Sequence, residues 1–319
     1  MLIHLTRLIS EAECYAVVRE LRWPDGQVRC PHCNSPHGVS KRGRHSTRPH
    51  QQRYFCARCQ RGFDDLTGTV FMQHHQPLPV WILCLYLMGL NLSNAQIAQE
   101  LQLSPSDAQT MTEQLRQGIV TRRPTPHLTG LVECDEVYLI AGHKGQPAAV
   151  RAAGRQGRCR RLKGARGRGT LAKEKPPVLG MLQRDGPVVL RLLPNVQQVT
   201  IQPVLQATLP PGTLIYTDEY DIYARLPEWG YRHKTVCHSA GEYARDEDGD
   251  GFCEVHINTL EGFWSLLRSW LRPHRGISQD KLPWYLGFFE FVHNARRRGQ
   301  GLLPALLNVL LAPTSLNPG

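Results

Sequence analysis

Two Cys-x-x-Cys pairs, CPHC at Cys30 and Cys33 and CARC at Cys56 and Cys59, restrict this chain more than any other feature. Two such knuckles about twenty residues apart bring four soft thiolates to tetrahedral reach of one ion, the arrangement that zinc ribbons use for a closed structural site. A redox Cys-x-x-Cys usually comes singly in a thioredoxin-like setting, and four buried free cysteines leave the paired spacing unexplained. His32, His37, His45 and His50 lie close by in sequence and offer one substitute ligand for a cysteine, although the four cysteines alone complete the set. Between the knuckles, Lys41 to Arg53 reads KRGRHSTRPHQQR, a strand-like, basic hairpin that either offers cations to phosphate or is simply solvated. The other six of the ten cysteines are scattered, which suits a reducing compartment with one metal site.

The flanking segments are helical. Ser10 and Glu13 have capping-box spacing before SEAECYAVVRELRW, a short helix ended by Pro24, Asp25 and Gly26 that would brace the ribbon. Pro79 to Leu90 is apolar on nearly every side and predicts a buried helix. In Ser93 to Leu115, Ile97, Ala98, Leu101 and Leu103 precede a Ser104-Pro105-Ser106 break and a second helix, with Ser93 and Ser104 as N-caps. The pattern is that of a helix-turn-helix, although generic helical hairpins share it; in a DNA reader, Ser106, Gln109 and Thr110 would face the bases. The Pro-rich stretch from Arg122 to Thr129 is the main domain boundary. The resulting division is helix and ribbon at 1–75, helical domain at 76–121, α/β domain at 128–299, and a tail at 300–319 without a functional signal.

In the third segment, acids stand where apolar strands seldom carry them. LVECDEVYLI, from Leu131 to Ile140, reads as a buried strand with Asp135 in its middle, and alternation puts Glu133 on the face of Asp135 and Glu136 on the other. Thr213 to Asp218 is a second apolar strand ending in a carboxylate. Glu254 to Leu271, read at helical period, sets Asn258, Glu261, Ser265 and Arg268 on one polar face against an apolar stripe of Leu260, Phe263, Trp264, Leu267 and Leu271. Buried acids are paired or bind metal, so two such strands and a helix suggest a carboxylate cluster for divalent cations. The intervening pattern, a hairpin at Val178 to Leu193 around Asp185-Gly186, a helix from Gln197 to Leu209, a short helix from Tyr220 to Leu226 and a strand from Tyr231 to Cys237, gives β-β-β-α-β-α-β-α. That order predicts an α/β fold with a mixed sheet flanked by helices. DEDGDG, from Asp246 to Gly251, begins like a calcium loop, but position twelve is Ile257, which rejects calcium and leaves an acidic surface loop.

The net charge of +11 and pI near 9.3 favour a polyanionic partner, nucleic acid first. Much of the charge is local: Lys144 to Pro177 holds eleven Lys or Arg, among them Arg158, Arg160, Arg161 and Lys163, against the single acid Glu174. Too few apolar residues accompany them to fold alone, and such like charge repels itself until an anion neutralises it, which points to a nucleic-acid backbone. There is no apolar run long enough to span a bilayer and no signal-peptide pattern, so a cytoplasmic, nucleoid-associated location is expected.

CDEVY at Asp135, YTDEY at Asp218, HSAGEYAR at His238 and, above all, VHINTLEGFWSLLR resemble the bacterial insertion-sequence transposases with an N-terminal zinc ribbon and a DD(E/N) catalytic domain of ribonuclease H-like fold. The likeness runs from Cys30 to about Arg298. It implies cutting and joining at the terminal inverted repeats of a mobile element and at target DNA, by a homodimer or larger assembly on double-stranded DNA. It also implies acids on the first strand, the fourth strand and a late helix, which match Asp135, Asp218 and Glu261. Members differ in whether the third position is Glu or Asn, and here Asn258 and Glu261 stand one turn apart. Related transposases carry a basic residue seven positions after the third ligand; Arg268 holds that place for Glu261, with Arg for the commoner Lys, and marks Glu261 as ligand and Asn258 as supporting or alternate ligand.

The chemistry implied by this resemblance is phosphoryl transfer with two Mg²⁺ ions about 4 Å apart, Asp135 bridging both and Asp218 and Glu261 each holding one. Mn²⁺ is expected to substitute for Mg²⁺ at such oxygen ligands. His238 and His256 are candidates to orient the scissile phosphate or a ligand, and equally serve as structural groups. The alternatives are a non-catalytic zinc-ribbon regulator that only binds DNA, and a general nuclease that cuts without joining.

Overall fold

The structure is a computed structural model that describes residues 10–152, 168–299 and 301–312, in two compact units. One unit contains the described residues up to Arg123 together with those from Arg298; the other is Pro124–Arg297.

In the first unit, helix α1 (Glu11–Arg22) leads into a three-stranded antiparallel ribbon of β1 (Val39–Arg44), β2 (Gln52–Cys56) and β3 (Arg61–Asp64). Ser10 has extended backbone at the N-cap of α1, but its side chain makes no cap bond, so the expected capping box is not formed. The bracing of the ribbon comes from the other end of the helix. Arg19 bonds the buried Asp65 carboxylate at 2.8 Å, and Arg22 donates to the carbonyls of Asp65 and Thr67. Asp65 also accepts from the Tyr54 hydroxyl and the Gln52 amide, so its buried charge is fully bonded.

Helix α2 (Leu78–Gly89), apolar on every side, packs among α1, α3 (Asn94–Glu100), α4 (Pro105–Arg122) and α9 (Leu302–Leu311). Ser93 forms a complete capping box on α3, and the Ser104 hydroxyl accepts from the Asp107 amide to start α4. The stretch from residue 300, expected as a tail, supplies α9, whose Leu303, Leu306, Leu307, Leu310 and Leu311 are buried at helical spacing. Its close approach to α4 needs Gly118, where a Cβ would meet Leu310 and Val70 at 2.8 Å.

The second unit is a five-stranded mixed sheet in the order β6-β5-β4-β7-β8. Strand β4 (Leu131–Tyr138) is central; a short helix α5 (Pro147–Ala152) follows it. Strands β5 (Pro177–Gln183) and β6 (Val188–Leu192) continue antiparallel on one side, and β7 (Leu214–Asp218) and β8 (Arg232–Val236) run parallel to β4 on the other. This is the ribonuclease H-like arrangement. Helix α6 (Gln198–Thr208) and a one-turn 3-10 helix at Asp221–Tyr223, in place of the longer helix expected there, cover one face with Ile201, Leu205 and Tyr223 on Val132, Cys134 and Ile215. A two-stranded ribbon, β9 (Ala244–Arg245) with β10 (Val255–His256), precedes α7 (Asn258–Leu271) on the opposite face.

The helix expected from Glu254 therefore begins at Asn258. Val255 and Ile257 are buried with Tyr216 and Val236 at a spacing of two, so this piece is strand-like before the helical period takes over. After α7, helix α8 (Leu282–Arg297) shields the outer strand: Glu290 accepts from the Leu190 amide at 2.8 Å, and Asn294 bonds both the amide and the carbonyl of Val188 at 2.9 Å. An edge that would otherwise pair with another chain is thereby closed. No helix among the described residues is long and apolar enough to cross a membrane.

Candidate active site

Register places two acids side by side. In the parallel pair of β4 and β7, Glu133 lies opposite Tyr216; two residues further on each strand stand Asp135 and Asp218, level and on the same face. Helix α7 crosses that face and adds a third acid. Its buried stripe of Leu260, Phe263, Trp264 and Leu267, joined by Trp270, docks on the sheet and leaves Asn258, Glu261, Ser265 and Arg268 exposed, as the period requires. Leu271 is only half-buried.

Asp135 is fixed from two sides. Its Oδ1 accepts from the Glu136 amide at 2.7 Å, and its Oδ2 from the Trp264 indole at 2.8 Å. The indole reaches it by lying over Gly180, the residue paired with Asp135 on β5; a Cβ there would sit 2.4 Å from Trp264 Cη2. Burial pushes the Asp135 carboxyl up to about 6, the Trp264 and Glu136 bonds oppose the rise, and the charges of Asp218 and Glu261 add to it. Asp218 is also raised by burial and by the neighbouring Glu219 charge, against the bond from the Tyr220 amide at 3.1 Å and the fields of His238 and Arg168, which lower it.

His238 joins this group, its Nδ1 3.9 Å from Glu261 Oε1. The loop that carries it is held by Glu219, whose carboxylate accepts from the amides of His238 and Ser239 at 2.9 and 3.0 Å and is held down at about 2 by such backbone bonds. His256 lies instead beside Glu133, Nδ1 to Oε1 3.6 Å. On the other face of β4, Glu136 takes a hydrogen bond from the Tyr223 hydroxyl. Burial raises its carboxyl to about 8, against that bond and with Asp135 and Asp218 adding to it. Arg168, over the Tyr220 ring at 3.5 Å, offsets part of this negative field.

Among the described residues, two groups bring three or more metal-ligating atoms within 4.8 Å of one another: the four cysteines, and Asp246, Asp248 and Glu254. The carboxylates of Asp135, Asp218 and Glu261 are more widely spread. A site for two ions about 4 Å apart, each about 2.1 Å from its ligands, is itself wider than that limit. The acidic loop spends its oxygens internally, Asp246 on the amides of Gly249 and Gly251 and Asp248 on that of Asp250.

The cysteines of the ribbon form a second centre. Cys30 and Cys59 sulfurs lie 3.6 Å apart and those of Cys33 and Cys56 3.7 Å, where Zn–S bonds of about 2.3 Å put tetrahedral sulfurs about 3.8 Å apart. Trp23, Tyr54 and Phe63 pack around them. The donor set fits one structural Zn²⁺.

Ser106 and Gln109 are exposed on the first turns of α4, where Gln109 bonds Glu113 at 2.7 Å. Arg268 is exposed on α7. Arg158, Arg160, Arg161 and Lys163 lie outside the described residues. Reading the sequence alone missed Trp264 as a partner of Asp135, Gly180 as its seat, and the Glu136–Tyr223 pair. Only the small residue opposite an acid and the indole three residues after Glu261 signalled the first two.

Comparison with known proteins finds family matches for both parts of the chain. Residues 127–294 match the family model of the ISXO2-like transposase domain, and residues 9–62 that of a transposase zinc-ribbon domain. An uncharacterized protein in the transposable element ISH50 of Halobacterium salinarum is 33% identical over 308 residues, covering 95% of this chain and 98% of that protein. An uncharacterized transposase-like protein of Haemophilus influenzae is 28% identical over 105 residues, 32% of this chain and 77% of its own.

Proposed function

This chain belongs to the ISXO2-like transposases, and from that premise we propose that it cuts and joins DNA strands at the ends of its element with Asp135, Asp218 and Glu261 as its metal-holding acids. The observation that carries the reading is the placement of Asp135 and Asp218 level on adjacent parallel strands, with Glu261 on the helix that packs across the same face. Asp135 would bridge two Mg²⁺ or Mn²⁺ ions, with Asp218 on one and Glu261 on the other. Bound there, such ions supply Lewis-acid stabilisation for an in-line displacement at phosphorus and lower the pKa of a coordinated water or 3′-hydroxyl.

The residues do the rest. Trp264 and the Glu136 amide hold Asp135 in one rotamer, so that its carboxylate is preorganised. Glu219 fixes the loop that sets His238 next to Glu261, where the imidazole can orient a scissile phosphate. Asn258, exposed one turn before Glu261, supports or replaces it. Arg268 is placed to pair with the DNA backbone, and the guanidinium fork allows bidentate contact that a Lys would not. The ribbon, Ser106 and Gln109 on α4, and Arg158, Arg160, Arg161 and Lys163 supply further DNA contacts, on a protein that works as a dimer or larger assembly.

The test is incubation with the DNA flanking its own locus and Mg²⁺. Cut and joined products are expected, and Asp135→Ala, Asp218→Ala or Glu261→Ala should abolish them while binding to the ends survives. A Glu261→Ala protein that still cuts beside a dead Asn258→Ala would move the third ligand to Asn258. Binding without any nicking in Mg²⁺ or Mn²⁺ would favour the non-catalytic regulator.

A further inference from the structure

Glu133 is wholly buried, two residues before Asp135 on the same face of β4, and the three proposed cation ligands leave it unused. A charge in that position needs partners, and it has them. Oε2 accepts from the Leu260 amide at 2.9 Å, and Oε1 accepts from Arg184 Nε at 2.9 Å. Leu260 is in the first turn of α7, where amides have no i−4 partner within the helix; its N–H is shared between the Ile257 carbonyl at 3.1 Å and the shorter bond to Glu133. The N-cap of α7 is Ile257, whose side chain makes no cap bond. Glu133 therefore caps the helix from a neighbouring strand and puts its negative charge at the positive end of the dipole.

Arg184, in the turn between β5 and β6, extends the contact. It donates to the carbonyls of Glu254 and His256, the latter at 2.8 Å, and so ties the chain entering α7 to the same carboxylate. One turn further on, Trp264 bonds Asp135. Two adjacent same-face acids of β4 thus grip α7 at Leu260 and at Trp264, and Glu261 stands between these points.

We propose that Glu133 and Arg184 are positioning residues that fix the rotation and height of α7, and with them the distance from Glu261 and Asn258 to Asp135. The proposal rests on the reading of Asp135, Asp218 and Glu261 as a cation site. Partners one shell removed from a metal typically contribute ten- to a hundred-fold to its affinity.

The test is Mn²⁺ titration calorimetry on the zinc-loaded full chain, with hydrogen exchange of the peptide covering residues 258–264 in the absence of Mn²⁺. Glu133→Gln keeps an acceptor for Leu260 but not the ion pair, and should bind Mn²⁺ about ten-fold or more weakly and exchange this peptide faster. Arg184→Lys, which cannot span the same three acceptors, should do likewise if Glu133→Gln fails to fold. The double variant Glu133→Gln, Arg184→Met removes both charges. A merely structural ion pair predicts wild-type Mn²⁺ affinity for it; positioning predicts that the weakening persists. Asp135→Ala run alongside separates the two claims. If it abolishes Mn²⁺ binding while Glu133→Gln and the double variant match wild type in affinity and exchange, positioning is overturned and the cation site stands; if Asp135→Ala binds Mn²⁺ normally, the site itself is wrong.

Discussion

Trp264→Phe removes the indole N–H that donates to Asp135 Oδ2 at 2.8 Å, together with the far edge of the ring, Cζ2 and Cη2, that lies over Gly180. A hydrogen bond to a charged group contributes about 1.5–3 kcal/mol. At about 1.36 kcal/mol per pH unit, its loss should move the Asp135 carboxyl up from about 6 by roughly one to two pH units. A cation competes with that proton, so the acid limb of the cleavage rate, and of Mn²⁺ binding, should move to higher pH by a similar amount, with the alkaline plateau less affected. Gly180→Ala reaches the same bond from the other side, since its Cβ would stand 2.4 Å from Trp264 Cη2 and must displace the ring. Overpacking of this kind costs about 1–3 kcal/mol of stability. The assay is Mn²⁺ affinity and single-turnover cleavage from pH 5 to pH 9 for wild type and both variants. Acid limbs that coincide in all three would refute the idea that the indole tunes Asp135.

Three further outcomes are expected. Removing zinc, or Cys33→Ser, should unfold the ribbon, because structural zinc in such sites contributes about 10–16 kcal/mol of apparent binding free energy; zinc release and melting curves read this out. In the metal-free chain, Asp135 and Glu136 have folded-state pKa values of about 6 and about 8, above their ordinary 3.8 and 4.5. Their stabilising contribution is therefore full below those ordinary values and is lost as pH rises through about 6 and then about 8; urea unfolding between pH 5 and pH 9 should show the decline, and Glu136→Gln should flatten its upper part. Asn294→Ala strands the amide and carbonyl of Val188 at the sheet edge and should destabilise the α/β unit by about 2–4 kcal/mol in urea titration.

Much of this fold was legible in the residues. The cysteine spacing marked the ribbon, the acids inside LVECDEVY and LIYTD marked β4 and β7, and the polar face of α7 follows its period. What escaped was set by tertiary packing. The strand β10 was hidden because Val255 and Ile257 run on into the helical stripe, and two residues of alternation are too few to stand out. The helix α9 carries its leucines at helical spacing, but Pro304 at its start reads as a break until one notes that a helix tolerates proline in its first turn. Glu133 could be assigned a face but not a partner, since Arg184 is 51 residues away and Leu260 127.

The most direct measurement is anomalous scattering from a crystal soaked in Mn²⁺. Density at the mouth of β4 and β7, coordinated by Asp135 and Asp218 and reached by Glu261 or Asn258, is the expected result. Mn²⁺ found only at the exposed Asp246, Asp248 and Glu254, with Asp135 bare at saturating ion, would contradict it.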